Sequence, residues 1–516
     1  MIMANTPVLS RAHLIFGLCL LLAVLLGFAL ADPLELSSMG LILLVLGLLS
    51  VPLWMRFHHP LLILSWNAWI TPGFLPGRPF LWAVLALISL LFGAINRSTD
   101  PQRRFLIPPS VAGSLFFLSG ILIVTALLQG GTGLHALGSE RYGGKAYFYI
   151  VCAIAGCFAL ASQPIPRQRA VWYLAMFFLP GITAAMGHLI YLLGPKAYGL
   201  FNVFPATYAA EQAFTVERVG TSPDMVRIGG FYYASLAVVC FLIARHGVSG
   251  VLDLRRPWRL AFLFLALGAC LYSGFRSALI LLLLTCAAAF VVEGLHRTKY
   301  LVIILALGLA GLMVVLPRLS HMPYVVQRSL SFLPVKVDAN VAYDVRGSTT
   351  WRIEMWKEVF EQLPRYALLG KGYAIDPNEL RLAQESTWRG YAGWRVASVA
   401  GDYHNGPLSV VIPLGIWGLL AFAWFLVAGA RVLYANYRYG NPGLRTINRF
   451  LFAYFLVRIF FFIAVFGSFY TEFSIFTGLV GFGLSLNGGV TRQSPAPASG
   501  NFGLIRPLAR IEYRPQ

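Results

Sequence analysis

The residues best suited to chemistry include a histidine at the boundary between a long polar segment and an apolar run. His404 lies in the sequence Asp402-Tyr403-His404-Asn405-Gly406, and imidazole is one of the few side chains that exchange a proton near neutral pH. Asp402 could orient the imidazole, or it could simply cap the helix that follows. The competing interpretation is a histidine that only anchors a helix end, and the motif taken alone favours it.

Several arginines could bind an anion, because a guanidinium forms paired, charge-assisted hydrogen bonds with phosphate. Arg276 lies in a very short turn between two apolar runs, and Arg227 immediately precedes another run. Arg352 lies close to Glu354 and Lys357, so an ordinary surface salt bridge is its simplest explanation. Together with the histidine, these arginines could form a site that holds a diphosphate.

Arg458 is unusual because it lies in the middle of an apolar run. A guanidinium at the centre of a membrane-spanning helix costs about 3 kcal/mol on insertion scales, so Arg458 should face a polar interior. Glu472 is a candidate partner for it. We expect Arg458 to support the site structurally rather than to take part in a reaction.

The elements that must position these residues are membrane-spanning helices. Of 516 residues, 58% are hydrophobic and 12% are charged, whereas about 25% of the residues in a soluble domain are charged. Apolar runs near the length of a bilayer crossing recur along the chain, and each must be a helix because backbone amides cannot stay unpaired in hydrocarbon. The predicted fold class is therefore all-α. The fourteen predicted spans lie at about 14–31, 39–55, 60–74, 79–95, 111–128, 146–162, 171–194, 228–244, 260–274, 277–293, 299–316, 405–430, 447–466 and 470–487.

The charge of the connecting segments predicts how the spans are oriented. Lys and Arg number 40 against 20 acidic residues, a net charge of +20, and in a soluble protein this balance would suggest nucleic acid. Here much of the basic excess lies in alternate short loops, as the positive-inside rule describes, so the lipid bilayer is the expected partner and nucleic acid is not. We predict a multi-pass membrane protein with both termini in the cytoplasm. Arg276 and Arg227 then lie on the outer side, against the rule, and an anionic partner would explain them.

One outer segment is long enough to form a small extramembrane unit. It contains two stretches with helical character, Thr349 to Leu363 and Asn378 to Thr387. The predicted organisation is spans one to eleven over 1–316, an outer loop domain over 317–404, spans twelve to fourteen over 405–487 and a disordered cytoplasmic tail over 488–516. Near the start, Arg11, an apolar run and Ala29-Leu30-Ala31 resemble a signal peptide, although the run is long for one, and its cleavage is left open.

No motif in the chain points to a metal, a nucleotide or another cofactor. The sequence contains no GxGxxG or GxxxxGKS/T motif and no Asp/Glu cluster suited to Mg²⁺ on the outer side. All six cysteines lie in apolar runs without metal-type pairing, so we expect small buried side chains rather than a disulfide framework. These cysteines are Cys19, Cys152, Cys157, Cys240, Cys270 and Cys286.

Four short motifs follow one another between about residues 227 and 420. His404-Asn405 is followed by Leu408 and by glycines eleven and fourteen residues after the histidine, Gly415 and Gly418. The other three motifs are Arg352-Ile353-Glu354-Met355-Trp356 with Gly370-Lys371-Gly372, Ser273-Gly274-Phe275-Arg276-Ser277-Ala278-Leu279, and Arg227-Ile228-Gly229-Gly230-Phe231. The residue types, the spacing and the order of these four motifs resemble those of the O-antigen ligases and O-antigen polymerases of bacterial envelopes.

Three departures from the family pattern leave the branch of the family open. Pro413 stands where the family usually has an acidic residue, and Tyr232-Tyr233 replaces an Asn-Pro pair. Arg276 precedes Ser277 rather than the usual glycine. The charged residues of the motifs are unaffected.

The resemblance implies a helical membrane glycosyltransferase with a periplasmic helical loop over a lateral cavity. Arg276 and Arg352, with Arg227, would hold the diphosphate of an undecaprenyl-linked glycan donor. His404 would act as base toward the acceptor hydroxyl or would position it, with Asn405 in support. Because fixed guanidinium groups can stabilise a departing diphosphate, no metal would be required, and family analogy implies an inverting displacement.

Several functions remain compatible with these residues. A ligase would use lipid A core as acceptor, a polymerase would use another carrier-linked glycan, and a protein-directed oligosaccharyltransferase is a third alternative. Basic residues of the long loop favour the ligase, whereas fourteen spans rather than twelve favour the polymerase. A lipid or solute transporter should show pseudo-symmetric halves, which we do not find, and Arg458 is its main support. A structural partner in an envelope assembly would leave His404 dispensable.

Overall fold

A computed structural model describes residues 11–30, 36–100, 102, 104–133, 139, 142–206, 227–334, 336–388 and 394–491. Its α-helices are α1 (Arg11–Ala29), α2 (Leu36–Ser65), α3 (Leu81–Thr99), α4 (Pro109–Gln129), α5 (Gly144–Leu160), α6 (Ala170–Phe178), α7 (Met186–Leu193), α8 (Gly229–Val251), α9 (Pro257–Tyr272), α10 (Arg276–Val292), α11 (Lys299–Val315), α12 (Tyr324–Leu330), α13 (Ala339–Tyr366), α14 (Pro377–Trp388), α15 (Arg395–Val399), α16 (Gly406–Tyr439), α17 (Arg445–Ala464) and α18 (Phe469–Asn487). In these ranges the only β-type pairing is an isolated antiparallel bridge between Tyr142 and Ile375. The all-α prediction is confirmed.

Within the described ranges, eight helical segments are long and apolar enough to cross a membrane. They are Leu81–Thr99, Pro109–Gln129, Arg167–Leu193, Gly229–Val251, Lys299–His321, Gly406–Tyr439, Pro442–Ala464 and Phe469–Asn487. Shorter apolar helices are Cys19–Phe28, Gly144–Leu160, Pro257–Tyr272 and Arg276–Val292. The chain is a multi-pass membrane protein, and the predicted count of fourteen spans is not confirmed.

The second and third predicted spans differ from the observed structure. One continuous helix, α2, covers residues 36–65, and residues 66–80 are not helical. Side chains of this non-helical segment hold it inside the bundle: Trp66 Nε1 donates to the Ser474 carbonyl at 3.1 Å, and Asn67 Nδ2 donates to the Phe177 carbonyl at 2.7 Å. Irregular backbone is tolerated at membrane depth when protein buries it, so an apolar run did not have to become a helix here.

The seventh predicted span, 171–194, is a broken helix. A 3₁₀ turn over Leu179–Ala185 separates α6 from α7. Pro180 lies at its start, where proline removes a backbone donor, and Gly181 packs so closely on α8 that an added Cβ would lie 2.9 Å from the Ala237 side chain. The break therefore coincides with a close approach to α8.

The long predicted loop contains helices, as expected. The stretch from Thr349 to Leu363 lies within α13, and Asn378 to Thr387 lies within α14. Met355 and Val359 of α13 are fully buried in a small apolar cluster with residues at the start of α16. The loop is therefore packed onto the bundle, and its status as a separate domain stays a prediction. The tail from residue 492 lies outside the described residues.

The basic loops meet at one end of the bundle. Residues of several loops line two cavities there. The first cavity is lined by Gly93, Asn96, Arg97, Arg104, Phe105, Ser162 and Gln163. The second, of about 260 Å³, is lined by Arg167, Tyr439, Gly440, Asn441, Pro442, Leu444, Asn487 and Thr491. Helix α16 ends at this basic end and begins beside His404. The histidine thus lies at the other end of the bundle, and the orientation of the two ends in the membrane stays a prediction.

Candidate functional site

The start of α16 fixes the backbone around His404. Asn405 is the N-cap residue of this helix, and its Oδ1 accepts a hydrogen bond from the Leu408 amide at 3.1 Å. Gly406 packs against the Phe462 carbonyl so closely that a side chain would not fit. The His-Asn-x-x-Leu pattern is thus explained locally, because Asn405 satisfies an amide that a helix start otherwise leaves unpaired.

His404 has an unusual backbone conformation. Its φ is 50°, and Arg78 is the only other non-glycine residue with positive φ in the described parts of the chain. Such a conformation costs about 1–3 kcal/mol, and it persists where surrounding contacts determine it. The ring lies edge-on to Trp351 and Phe466, with ring centroids 5.1 and 5.0 Å away. The imidazole is therefore held between two aromatic side chains, Trp351 of α13 and Phe466 of the turn between α17 and α18.

The two ring nitrogens of His404 have different surroundings. Nε2 lies 3.8 Å from Oδ2 of Asp402. Nδ1 is buried and has no hydrogen-bond partner among the described residues. Burial lowers the pKa of His404, the Asp402 carboxylate raises it, and the nearby guanidinium groups of Arg352 and Arg227 lower it, so that the net pKa is below its ordinary value. The imidazole is thus neutral at neutral pH and able to accept a proton.

Arg352 reaches the histidine because α13 is attached to the residue before it. One turn along α13, Trp356 Nε1 donates a 2.8 Å hydrogen bond to the Tyr403 carbonyl. Burial and the Arg328 charge lower the pKa of Arg352, whereas Asp402 raises it. The Arg-x-x-x-Trp spacing therefore has a physical reason: the tryptophan anchors the helix so that the arginine lies beside the site. Among the described residues, no ion pair joins Arg352 to Glu354, the surface salt bridge that was the alternative explanation from sequence.

Arg276 begins α10, and the turn before it is held by α12. The Nη1 atom of Arg328 donates to the Gly274 carbonyl at 2.7 Å, and its Nε pairs with Asp344 of α13. Ser329 adds a 2.7 Å hydrogen bond to the Leu271 carbonyl. Arg328 is only 6% exposed, so it ties the Arg276 turn, α12 and α13 into one unit.

Sequence reasoning missed Arg328 and Asp344. Arg328 could have been found by the same signal as Arg276, because it too is an arginine on the side of the membrane where the charge rule disfavours arginine. The partner of Arg328, Asp344, lies 16 residues further along the chain, and no local motif joins the two. Their pairing depends on how α12 and α13 pack.

The predicted arginines are brought together. Arg328 and Arg352 are the like charges that act on the Arg276 guanidinium, with Asp344 as the nearby opposite charge. Arg227 lies over the ring of Phe275, with 5.4 Å between Cζ and the ring centroid. Like charges that share a partly buried site repel one another. An anion placed among these guanidinium groups would relieve that repulsion.

Arg458 lies deeper and is paired. Its Nη2 is 3.2 Å from Oε1 of Glu472, as the sequence suggested, and the arginine is 1% exposed. The Cζ atom also lies 5.8 Å from the ring centroid of Phe461. This pair joins α17 to α18 on either side of the turn that carries Phe466, one of the rings that holds the histidine. Its contacts are those of a structural element.

The Gly-x-Gly motif docks into a kink of α16. Gly415 has φ 68° and breaks the helix, and the carbonyls freed there accept hydrogen bonds from the loop. The Lys371 amide donates to Ile412 O at 2.7 Å, and the Gly372 amide donates to Pro413 O at 2.9 Å. Pro413, which departs from the family pattern, thus contributes its carbonyl to this contact.

No group of three or more His, Cys, Asp or Glu side chains in the described ranges could hold a metal ion. Independence from metals stays a prediction, as does the lateral cavity. The cysteines are free thiols, and Cys152, Cys157, Cys240 and Cys270 are buried as expected, whereas Cys19 is exposed and Cys286 is half-buried.

Comparison with known proteins identifies the part of the chain that contains this site. No curated protein matches the chain. Residues 261–423 match the family model described as O-antigen ligase. The matched segment includes Arg276, Arg328, Arg352 and His404, whereas Arg227 and Arg458 lie outside it. The chain is therefore a multi-pass membrane protein, and its segment 261–423 is similar to the O-antigen ligase family.

Proposed function

We propose that this protein transfers a glycan from undecaprenyl diphosphate to lipid A core at the periplasmic face of the bacterial inner membrane. One observation carries the proposal: segments far apart in the sequence bring Arg276, Arg352, Arg227 and His404 to one end of the bundle. The family match adds the reaction class, a glycosyltransferase-like enzyme. Arginines beside a neutral imidazole suit a donor whose leaving group is a diphosphate.

The arginines would stabilise the leaving group. As the bond between the anomeric carbon and the diphosphate oxygen breaks, negative charge grows on that oxygen. Fixed guanidinium groups in a partly buried site stabilise such charge without reorganisation of solvent. Arg276 and Arg352 would contact the diphosphate, with Arg227 beside them. Arg328 would position the Arg276 turn, because its own hydrogen bonds are made to protein groups.

His404 would activate the acceptor. Its unpartnered Nδ1 would take the proton of the acceptor hydroxyl as that oxygen bonds to the anomeric carbon. Asp402, on the Nε2 side, would stabilise the imidazolium that forms. The products are the glycosylated acceptor and undecaprenyl diphosphate. Attack from the face opposite the leaving group would invert the anomeric configuration, and no step in this scheme calls for a metal.

The orientation in the membrane follows from charge. The basic end of the bundle would face the cytoplasm, because short loops rich in Arg and Lys stay on that side. Both termini would then be cytoplasmic and the His404 end periplasmic. A transporter is less well supported, since Arg458 lies in a buried ion pair with Glu472 and the other arginines gather at one end.

Deletion of the gene, followed by analysis of the envelope glycans, tests the proposal. Lipid A core without polymer, with polymer accumulating on its carrier, is the expected result. A core capped by one repeat unit would instead indicate a polymerase, and unchanged glycans would overturn both assignments.

Complementation of the deletion then tests the site. We expect His404→Ala and Arg276→Ala to abolish transfer while membrane insertion stays normal. Arg346→Ala is the matched control, because Arg346 is an exposed arginine on α13 outside the cluster. Full transfer by either site variant would refute the role proposed for that residue.

A further inference from the structure

A stripe of apolar side chains runs along an uncovered face of α13. Ile353 and Phe360 are 45% and 53% exposed, and because they lie seven residues apart they occupy the same side of the helix. A different side buries Met355 and Val359 completely in the protein. The helix therefore has a second apolar surface that no described part of the chain covers.

This stripe joins the lipid-facing surface of α16. At the end of α13, Leu368 and Leu369 are 61% and 54% exposed. The Ile416 amide donates to the Ala367 carbonyl at 2.6 Å, so these leucines lie beside the point where α16 continues after its kink. Ile416 and Trp417 are themselves 38% and 48% exposed. Beyond the kink, residues 416–439 form about 36 Å of helix at 1.5 Å per residue, a full membrane crossing. Their exposed apolar side chains therefore face lipid.

The charges around the stripe suit a lipid surface. Lys357 lies within the stripe, between Ile353 and Phe360, and a lysine can bury its stem against lipid while its ammonium reaches a headgroup phosphate. Glu354 follows Ile353 and Glu361 follows Phe360, so each glutamate lies about 100° around the helix from the stripe, where it can remain in water. Apolar residues on one side and charges on the flank are typical of a helix that lies in a membrane interface.

We propose that the second half of α13, from Ile353, together with the turn that follows the helix as far as Leu369, lies in the headgroup region of the leaflet on the His404 side. Ile353, Phe360, Leu368 and Leu369 insert among the lipid chains. This anchor sets the height of Arg352 relative to the bilayer, because Arg352 lies on the same helix about 100° away from the stripe. The proposal rests on the membrane-spanning fold and not on glycan transfer, so the two can fail separately.

Site-specific fluorescence in liposomes tests this placement. The full chain carrying Phe360→Cys or Glu361→Cys is labelled with an NBD dye and reconstituted in phosphatidylcholine and phosphatidylglycerol. The two positions are matched, because both are exposed neighbours on one helix and differ mainly in direction. Wild-type protein treated in parallel measures the background from Cys19, the exposed native cysteine.

We expect doxyl-labelled lipid to quench the dye at position 360 several-fold more than at 361, and aqueous iodide to show the opposite order. Equal access of iodide to both positions overturns the proposal. A dye at 360 that is shielded from both quenchers also overturns it, since a protein partner or a second copy would then cover the stripe. Leu369→Cys repeats the measurement at the end of the stripe, so that misfolding of one variant does not decide the result.

Discussion

Replacing Gly370 with alanine tests how the outer helices are held against the kink of α16. Gly370 has φ 73°, which costs an L-residue about 1–2 kcal/mol, and an added Cβ would lie 2.6 Å from the Pro413 carbonyl carbon. Relief of that collision moves the loop away from the kink. It stretches the Lys371–Ile412 and Gly372–Pro413 hydrogen bonds, of 2.7 and 2.9 Å, each worth about 1 kcal/mol. The expected destabilisation is therefore about 3–4 kcal/mol.

Thermal unfolding of the purified protein and a donor-transfer assay measure the two consequences. The unfolding midpoint of Gly370→Ala should fall by several degrees, and transfer should fall about 100-fold, because ~1 Å of displacement at Arg352 has that effect. Gly347→Ala is the matched control: it lies in α13, and its added Cβ meets no atom within 4 Å. Alanine also favours a helix over glycine by up to ~1 kcal/mol, so this control should be at least as stable as wild type. Wild-type stability and transfer in Gly370→Ala would refute the reasoning.

Two further predictions concern charge. Asp402→Asn removes the carboxylate that raises the pKa of His404, so that pKa falls further. The low-pH limit of transfer, at which the imidazole is protonated and no longer a base, should then move to lower pH; a pH–rate profile that shifts upward or stays in place contradicts the assignment. Arg458→Met or Glu472→Gln alone breaks a buried ion pair and should cost about 3–5 kcal/mol of stability. Unfolding of the double variant should show less loss than the sum of the two, and simple additivity would mean that the pair does not interact.

Much of the helical framework was predictable from hydropathy. Hydrocarbon offers no partner for backbone amides, so a long apolar run such as the whole of α4 had to be a helix. The two helices of the outer segment were predictable as well, because Ile353, Trp356, Val359 and Phe360 repeat at helical spacing. The pairing of Arg458 with Glu472 also followed, since a buried cation needs a partner.

The places where hydropathy failed are those with specific long-range contacts. Residues 66–80 leave the helix because Trp66 and Asn67 bond to backbone carbonyls more than 100 residues away. The kink at Gly415 forms because a distant loop supplies the amides of Lys371 and Gly372. The local sequence contains Pro413 and Gly415, but it does not indicate which distant segment stabilises the break.

By itself the sequence determined that this chain spans a membrane repeatedly, and it predicted that several arginines and His404 lie on one side of that membrane. These properties follow from hydropathy and from the charge of the loops, which depend on the local sequence and not on how the helices pack. Only the tertiary structure decided that Arg276, Arg352 and His404 meet, that Arg328 and Asp344 join them, and that Trp351 and Phe466 enclose the imidazole. Such encounters depend on how helices pack, and packing is set by many contacts between residues remote in the chain.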